Sequence, residues 1–174
     1  MHLIFALLLA ASGWEGKVHF QHDPPRKSGA SDGTIHFAAG RVRLEEPTPI
    51  GLTVILWDGK RLRLLFPERR TYLELPPRQA ALATAPPLNL YKMSKTGTEV
   101  VEGRTCTIYE RKGEVTQRLW VPEDSPTPQK KKLFFFLREV TQTARGATRA
   151  DVTGVRVADQ PDSLFQVPAG YRKQ

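Results

Sequence analysis

The stretch Leu52–Phe66, LTVILWDGKRLRLLF, decides the fold, because it has the pattern of a β-hairpin. Apolar residues alternate on both sides of Asp58-Gly59, a loop that tolerates the positive φ angles of a type I′ turn. A two-residue loop at this point places Ile55 opposite Leu62. The stretch therefore predicts a pair of antiparallel strands with a defined register.

The two faces of this predicted hairpin differ in composition. One carries Ile55, Leu62, Leu64 and Phe66, and the other carries Val54 and Leu56 beside Arg61 and Arg63. Successive side chains of a strand point to opposite faces, so the alternation itself makes this division. Since both faces are partly apolar, neither is typical of a simple solvated surface.

Alternation of apolar and polar residues extends outward from the hairpin in both directions, which is typical of an antiparallel meander. Further strands are predicted at Trp14–His22, 33–39, 41–46, Thr71–Leu75, 99–101, Arg104–Arg111, 114–121 and 152–157, with the last residues, 163–171, trailing off. Together they indicate one antiparallel sheet of roughly eight to eleven strands.

Residues 126 to 144 are predicted to form the main helix. Leu133, Phe136, Leu137 and Val140 fall at helical spacing, and Pro126 or Pro128 suits a first turn. Phe134 and Phe135 widen the apolar stripe, so a buried strand is the competing interpretation. A shorter helix is expected near residues 78 to 93. The predicted fold class is therefore α+β: one antiparallel sheet with a main helix and a shorter one.

The N-terminal stretch Met1–Gly13, MHLIFALLLAASG, has the pattern of a secretory signal peptide. Its apolar core is too short to span a bilayer and ends in small residues suited to cleavage. No other stretch is apolar enough to cross a membrane, so no transmembrane span is expected in the mature protein. Residues 14–174 fit one domain, and a periplasmic or secreted bacterial location is predicted.

Composition limits the classes of function. Cys106 is the only cysteine, which excludes an intramolecular disulfide, and the net charge of +8 favours contact with anionic envelope components. The arginines are spread along strands, and no zinc-finger or RNA-binding signature is present, so no nucleic-acid partner is expected.

Motifs that carry enzyme chemistry are missing from the sequence. It has no nucleophile elbow, glycine-rich phosphate loop or zinc-protease motif. His19 and His22 lie three apart on a predicted strand and therefore point to opposite faces, where they cannot share a metal. Cys106 shares a strand face with Ile108 and is typical of an inert core thiol. We predict no catalytic residue, no metal site, no cofactor and no enzymatic activity.

A run of three lysines leads into the bulky apolar residues 133–137. One interpretation is a helix packed on the sheet with its lysines in water. The other is a movable apolar lid over a cavity, with the lysines near an acidic partner or a lipid headgroup. Arg63 is the best cationic candidate because it alternates with apolar neighbours. The candidate cavity residues are Ile55, Leu62, Arg63, Leu64, Phe66, Phe134, Phe136 and Leu137.

Several short motifs, in this order, resemble a known group of proteins. They are GKV at 16–18, GRVRL at 40–44, WDGK at 57–60, LLFPERRTYLEL at 64–75, EGRTCTIYE at 102–110, LWVP at 119–122 and FQVPAGY at 165–171. This series resembles exported bacterial proteins of the DUF4412 type and, more distantly, the LolA/LolB-like lipoprotein-carrier superfamily. Each motif is a turn or strand pattern that carries no chemistry by itself.

The resemblance implies that this α+β fold is a strongly curved antiparallel sheet, an unclosed β-barrel, with helices covering its apolar concave face. In the carriers that space holds acyl chains. The expected function is binding of an amphiphilic, lipid-like ligand, with a lipid, an acyl chain or a lipoprotein as partner. The alternative is a non-enzymatic structural or interaction domain of the cell envelope, with a filled core and a basic surface. The two functions differ in the volume that they require inside the sheet: a carrier needs a void there, whereas a structural domain has a filled core.

Overall fold

The computed structural model describes residues 12–24, 30–76, 93–125 and 135–174 of the chain. The predicted signal segment and the predicted helix near 78 to 93 fall largely outside these ranges. Twelve strands lie within them: β1 Ser12–Asp23, β2 Ser31–Ala38, β3 Arg41–Thr48, β4 Gly51–Trp57, β5 Leu62–Phe66, β6 Thr71–Leu75, β7 Ser94–Val101, β8 Arg104–Arg111, β9 Thr116–Pro122, β10 Arg138–Thr143, β11 Gly146–Asp159 and β12 Arg172–Lys173.

All of these strands belong to one sheet, in the order β12-β6-β5-β4-β3-β2-β1-β11-β10-β9-β8-β7. Neighbours pair antiparallel except β12, which runs parallel to β6. The N-terminal and C-terminal halves of the sheet join where β1 pairs with β11, and a register shift there lies between Glu15 and Lys17. The sheet is open, because its end strands β12 and β7 do not pair with each other.

A contact between distant strands shows that the sheet curves strongly. In the strand order, β8 lies four positions from β1, a separation of about 19 Å in a flat sheet. Yet the guanidinium carbon of Arg104 at the start of β8 lies 4.7 Å from the ring centroid of Trp14 on β1. We call the concave side, to which Trp14 belongs, the inner face, and the other side the outer face.

The predicted α+β class is wrong, because the described residues are nearly all β. Within the segment predicted as the main helix, Arg138–Thr143 forms a strand between β9 and β11. Leu137 begins this pairing: its N–H donates to Trp120 and its carbonyl accepts from Val152. Paired ladders on both sides and β-branched residues along β10 favour a strand over the weak helical spacing.

Among the described residues the only helical elements are two 3₁₀ turns, Pro67–Arg69 and Asp162–Phe165. The expectation that helices cover the concave face is therefore not supported. No helix in the described ranges has the length and apolar character needed to span a membrane.

The central hairpin β4–β5 forms as predicted but with a longer loop. Trp57 pairs with Leu62 and Ile55 with Leu64, so the register differs by two residues from the predicted one. The faces are unchanged, because a shift of two residues returns each side chain to the same side of the sheet. The hairpin around Ala39-Gly40 lies where predicted, with φ angles of 48° and 77° at these two turn residues.

The inner face carries most of the apolar core. Its cluster of buried residues, the inner cluster, extends across nearly the whole sheet and includes Phe20, Ile35, Phe37, Leu44, Ile55, Leu62, Leu119, Val152 and the segment 135–137. Phe135 packs edge-on against Trp14 and Phe37, with ring centroids 5.1 and 6.0 Å away. The segment preceding β10 thus fills the concavity beside β1 and β2.

A second, smaller core lies on the outer face of β3 to β6, and the C-terminal segment covers it. This outer cluster consists of Ala38, Val54, Leu56, Leu65 and Phe165, with Leu52, Tyr72, Leu164, Val167 and Tyr171 packed around it. Arg41 pairs with Asp162 at 2.8 Å, and its guanidinium lies 4.6 Å from the Phe165 ring centroid. The C-terminal residues therefore form a layer of the fold, whereas the sequence pattern predicted that residues 163–171 trail off after the last strand.

Candidate functional site

The structure brings together most of the residues predicted to line a cavity, and it buries them. Ile55 and Leu62 are 6% and 2% exposed, and Phe136 and Leu137 are 1% and 0% exposed. All four belong to the inner cluster, with Leu64 packed against it. Phe66 is half-buried at the far end of β5, where it pairs with Thr71. Phe134 lies outside the described residues.

Arg63 lies apart from the other candidates, on the outer face. Its Nη1 donates to Asp58 Oδ2 at 2.6 Å, and its Nε donates to Glu74 Oε2 at 3.4 Å. These two carboxylates pair with the guanidinium of Arg63, whose side chain is only 13% exposed. Arg63 thus ties the β4–β5 loop to β6 and does not face the inner cluster.

A pocket of about 300 Å³ opens where the β4–β5 loop meets the end of β6. We call it the mouth pocket; it is lined by Trp57, Lys60, Arg61, Leu62, Glu74, Leu75 and Pro76. Trp57, Leu62 and Leu75 are cross-strand partners on the inner face. The apolar wall of the pocket is thus an exposed margin of the inner cluster, at the lower end of the size range of ligand pockets.

Asp58 shapes the loop above this pocket. Its Oδ1 accepts hydrogen bonds from the backbone N–H groups of Lys60 and Arg61, at 2.9 and 2.8 Å. Burial alone would raise the pKa of Asp58, but these bonds and the Arg63 guanidinium lower it below its ordinary value. The ionised carboxylate therefore holds the loop in a conformation that projects two cationic side chains at the rim.

The rim of the mouth pocket carries a local excess of positive charge. The Arg61 side chain is 61% exposed and reaches Glu74 at 3.5 Å, and among the described residues Lys60 forms no ion pair. Glu74 is shared with Arg63 and Lys173. Burial opposes ionisation of Glu74, yet these three cations lower its pKa. One carboxylate thus faces several cations, an arrangement that attracts an anionic group.

The histidines and the cysteine offer no alternative site in the described ranges. His19 lies on the outer face, 2.6 Å from Asp32, and His22 lies on the inner face, bonded to Thr148 at 3.1 Å. This confirms that they point to opposite sides of β1. Cys106 is fully buried, and burial raises the pKa of its thiol. No group of three potential metal ligands is found among the described residues.

A larger groove of about 430 Å³ crosses the outer face of β1 to β3 and is lined mainly by polar residues. Its charged side chains are largely matched in pairs, such as Arg43 with Glu45 at 2.6 Å. Because its lining carries no excess of positive charge, it is less suited to the acidic group of an anionic amphiphile than the mouth pocket.

Sequence reasoning missed two features that the structure shows. The first is the mouth pocket, which Trp57 and Leu75 line together with Lys60 and Arg61. The sequence signal that could have indicated it is the pair of cationic residues directly after Asp58-Gly59. The second is Glu139, a buried acid on the inner face. It had no usable signal, because its segment was interpreted as a helix.

Comparison with known proteins gives distant structural similarity only. No family model and no curated protein matches the sequence. Similar solved structures include MucB in complex with MucA(peri), at 15% identity and a TM-score of 0.46 over 92% of this chain, which spans 57% of that structure. A putative outer membrane lipoprotein-sorting protein domain from Vibrio parahaemolyticus matches at 8% identity and a TM-score of 0.46, covering 88% of this chain and 89% of that one.

A DUF1329 family protein from Desulfovibrio piger is similar at 12% identity and a TM-score of 0.45, covering 91% of this chain and 90% of that one. All three TM-scores lie below 0.5. At such identities these structures assign no ligand, partner or activity to it. Membership of the DUF4412 group stays a prediction.

Proposed function

We propose that this is an exported, non-enzymatic protein of the bacterial envelope that binds an anionic amphiphile at the mouth pocket. The ligand class is a fatty acid or the acyl chain of a lipid or lipoprotein. The observation that carries the proposal is the joining of an apolar wall to a cationic rim: Trp57, Leu62 and Leu75 lie beside Lys60 and Arg61. An acyl chain would lie against the wall and its acidic group would meet the rim.

Arg63 has a positioning role in this proposal. By engaging Asp58 and Glu74 from the outer face, it satisfies two carboxylates that would otherwise compete for the rim cations. Of the other predicted cavity residues, Ile55, Leu64, Phe136 and Leu137 belong to the packed interior behind the pocket. The ligand therefore inserts at the margin of the inner cluster and does not enter its centre.

A second candidate function is an envelope structural or interaction domain with no small ligand. The near-complete burial of Phe135, Phe136 and Leu137 favours it, because these side chains occupy the concavity that a deeply bound acyl chain would need. Under this alternative the mouth pocket is an ordinary surface depression, and the basic surface contacts anionic polymers.

Binding of cis-parinaric acid, a fluorescent fatty acid, separates the two candidates. We expect saturable binding by the intact protein and weaker binding of the methyl ester. Lys60→Gln with Arg61→Gln should lower the affinity for the acid roughly three- to tenfold, because each exposed charge contributes modestly. Leu75→Trp should block binding by filling the pocket without changing its charge.

The matched control is Lys17→Gln with Arg156→Gln, which removes one lysine and one arginine from the outer face. Both residues are exposed and lie away from the mouth pocket, so affinity should not change. Absence of saturable binding by the intact protein, and of lipid in native mass spectra of it, would leave the second candidate standing.

Export is proposed from the apolar run at 3–11 and the small residues that follow it. Strand β1 begins at Ser12, and Trp14 is buried in the inner cluster. Cleavage near Gly13 would leave Trp14 at the start of β1, paired with Phe37 on β2. Sequencing the N-terminus of envelope-fraction protein should begin near Trp14, and an intact Met1 in the cytosol would contradict export.

A further inference from the structure

Glu74 is the only acidic residue among the described residues that line the mouth pocket. Its side chain is 26% exposed, and three cations lie around it. Arg61 Nη1 and Arg63 Nε are 3.5 and 3.4 Å from its Oε2, and Lys173 Nζ is 3.7 Å from its Oε1. Charge-assisted hydrogen bonds from nitrogen to a carboxylate are about 2.7–2.9 Å long. All three contacts are longer, so Glu74 can still accept a full hydrogen bond.

Asp58, the other carboxylate close to the rim, has no such capacity. Its Oδ2 accepts from Arg63 Nη1 at 2.6 Å, and its Oδ1 accepts from two backbone N–H groups of the loop at 2.9 and 2.8 Å. These bonds have normal lengths. By contrast, among the described residues Glu74 Oε1 has only the 3.7 Å contact with Lys173. A cationic donor that enters the pocket would therefore bind Glu74 Oε1.

The mouth pocket presents charges of both signs beside its apolar wall. Within the described ranges Lys60 forms no ion pair, and the exposed Arg61 side chain pairs only with Glu74. Burial opposes ionisation of Glu74, but the three cations lower its pKa, so it is a carboxylate at neutral pH. A purely anionic head group would draw Arg61 away from this carboxylate and lie close to it, and like charges repel each other. A head group with an anion and an ammonium compensates both signs of charge.

We propose that the ligand of the mouth pocket is an amphiphile whose head group joins an anionic phosphodiester to a primary ammonium, the chemistry of an ethanolamine phospholipid. The phosphodiester accepts from Lys60 and Arg61, the ammonium donates to Glu74 Oε1, and the acyl chain lies against the apolar wall. Glu74 is then the residue that determines specificity, because it favours this head group over a simple anion. The inference rests on the proposed function, since it names the head group bound at the same pocket.

Displacement of cis-parinaric acid by three amphiphiles with the same dodecyl chain, each below its micelle concentration, tests the head group. Dodecyl ethyl phosphate carries the phosphodiester alone, dodecylphosphoethanolamine adds a primary ammonium, and dodecylphosphocholine adds a quaternary ammonium that cannot donate a hydrogen bond. The intact protein should bind the ethanolamine compound about three- to fivefold more tightly than the ethyl compound. The choline compound should fall between them, because it keeps the charge and lacks the hydrogen bond.

Glu74→Gln should abolish the preference for the ethanolamine compound, because the amide carries no negative charge. Glu74→Asp keeps the charge and should keep part of the preference. Lys173→Gln removes the contact of Oε1 and should increase the preference. The matched control is Glu114→Gln, an exposed residue in the turn between β8 and β9, which should keep the ratio of the intact protein. Each expected result is a ratio of two affinities in one variant, so a general loss of stability would not produce it.

Two outcomes separate this inference from the proposed function. If cis-parinaric acid binds but the ethyl and ethanolamine compounds displace it equally, the inference on the head group is overturned and the proposed function stands. If cis-parinaric acid does not bind at all, both are overturned. An unchanged preference in Glu74→Gln would also overturn the inference, because the ammonium would then have another acceptor.

Discussion

The outer face of β3 to β6 is apolar and covered by the C-terminal segment, whereas the outer face of β9 to β11 carries partly exposed ion pairs. In the first region Val54, Leu56 and Leu65 are at most 1% exposed beneath Phe165. In the second, Arg138 bonds to Asp151 at 2.6 Å and to Glu99 at 3.2 Å, and lies 5.5 Å from the Trp120 ring. The outer face of one continuous sheet is thus covered by a chain segment in one region and by ion pairs in the other.

This difference shows where stability is concentrated. Burial of apolar area contributes about 25 cal/mol per Å², whereas an exposed ion pair contributes less than about 1 kcal/mol. The covered region should therefore be sensitive to loss of a single large side chain, and the charged region should tolerate loss of a charge. The following changes test that contrast, beginning with the inner face that both regions share.

Phe136→Ala should have the largest effect, a loss of about 3 to 5 kcal/mol in the free energy of unfolding. Phe136 is 1% exposed within the inner cluster, so truncation leaves a cavity in a packed region. Urea unfolding followed by tryptophan fluorescence measures it. A loss of only about 1 to 2 kcal/mol would indicate a loosely packed lid and strengthen the case for a deep cavity.

Phe165→Ala should cost about 3 kcal/mol, toward the lower end of the range for buried aromatics. The residue is 1% exposed, but it lies on a short 3₁₀ turn at the margin of the fold. The matched control is Val157→Ala on β11, where a side chain 67% exposed should give a change within about 0.5 kcal/mol. Equal effects of the two changes would remove the contrast between the regions.

Glu139→Gln should change how stability depends on pH. Because the pKa of Glu139 is raised in the folded state above its ordinary 4.5, its stabilising contribution is complete below that value and is lost as pH rises through the folded-state pKa. Wild type should lose up to about 1.4 kcal/mol per pH unit relative to the variant over that interval. Urea midpoints of both proteins across pH measure it, and parallel pH profiles would contradict a neutral buried acid.

Arg138→Met should have the smallest effect, about 1 kcal/mol, and high salt should reduce it. Asp151 keeps its bond to Arg149 after the change, and Glu99, which loses its cation, keeps the hydrogen bond that it accepts from Trp120 Nε1. The comparison of unfolding free energies in low and high salt checks the prediction. A loss as large as that of Phe165→Ala would show that the charged region contributes as much as the covered one.

Much of the sheet was predictable from local pattern. The hairpins around Ala39-Gly40 and Asp58-Gly59 were found because turn residues and alternation agree there. The error of two residues in the second register arose because Asp58 accepts two backbone hydrogen bonds and thereby makes a longer loop. In the candidate site, the position of Leu62 and of the cations beside the loop could be predicted from the sequence. The pairing of Leu62 with Leu75 could not, because it depends on a third strand, β6.

The sequence by itself determined which side chains share a face of each strand, because alternation depends only on the geometry of the extended chain. Only the tertiary structure decided that Arg138–Thr143 is a strand, since its hydrogen-bond partners β9 and β11 lie elsewhere in the chain. The same holds for the C-terminal layer over β3 to β6 and for the burial of Glu139. These features depend on contacts between distant residues, which no local pattern encodes.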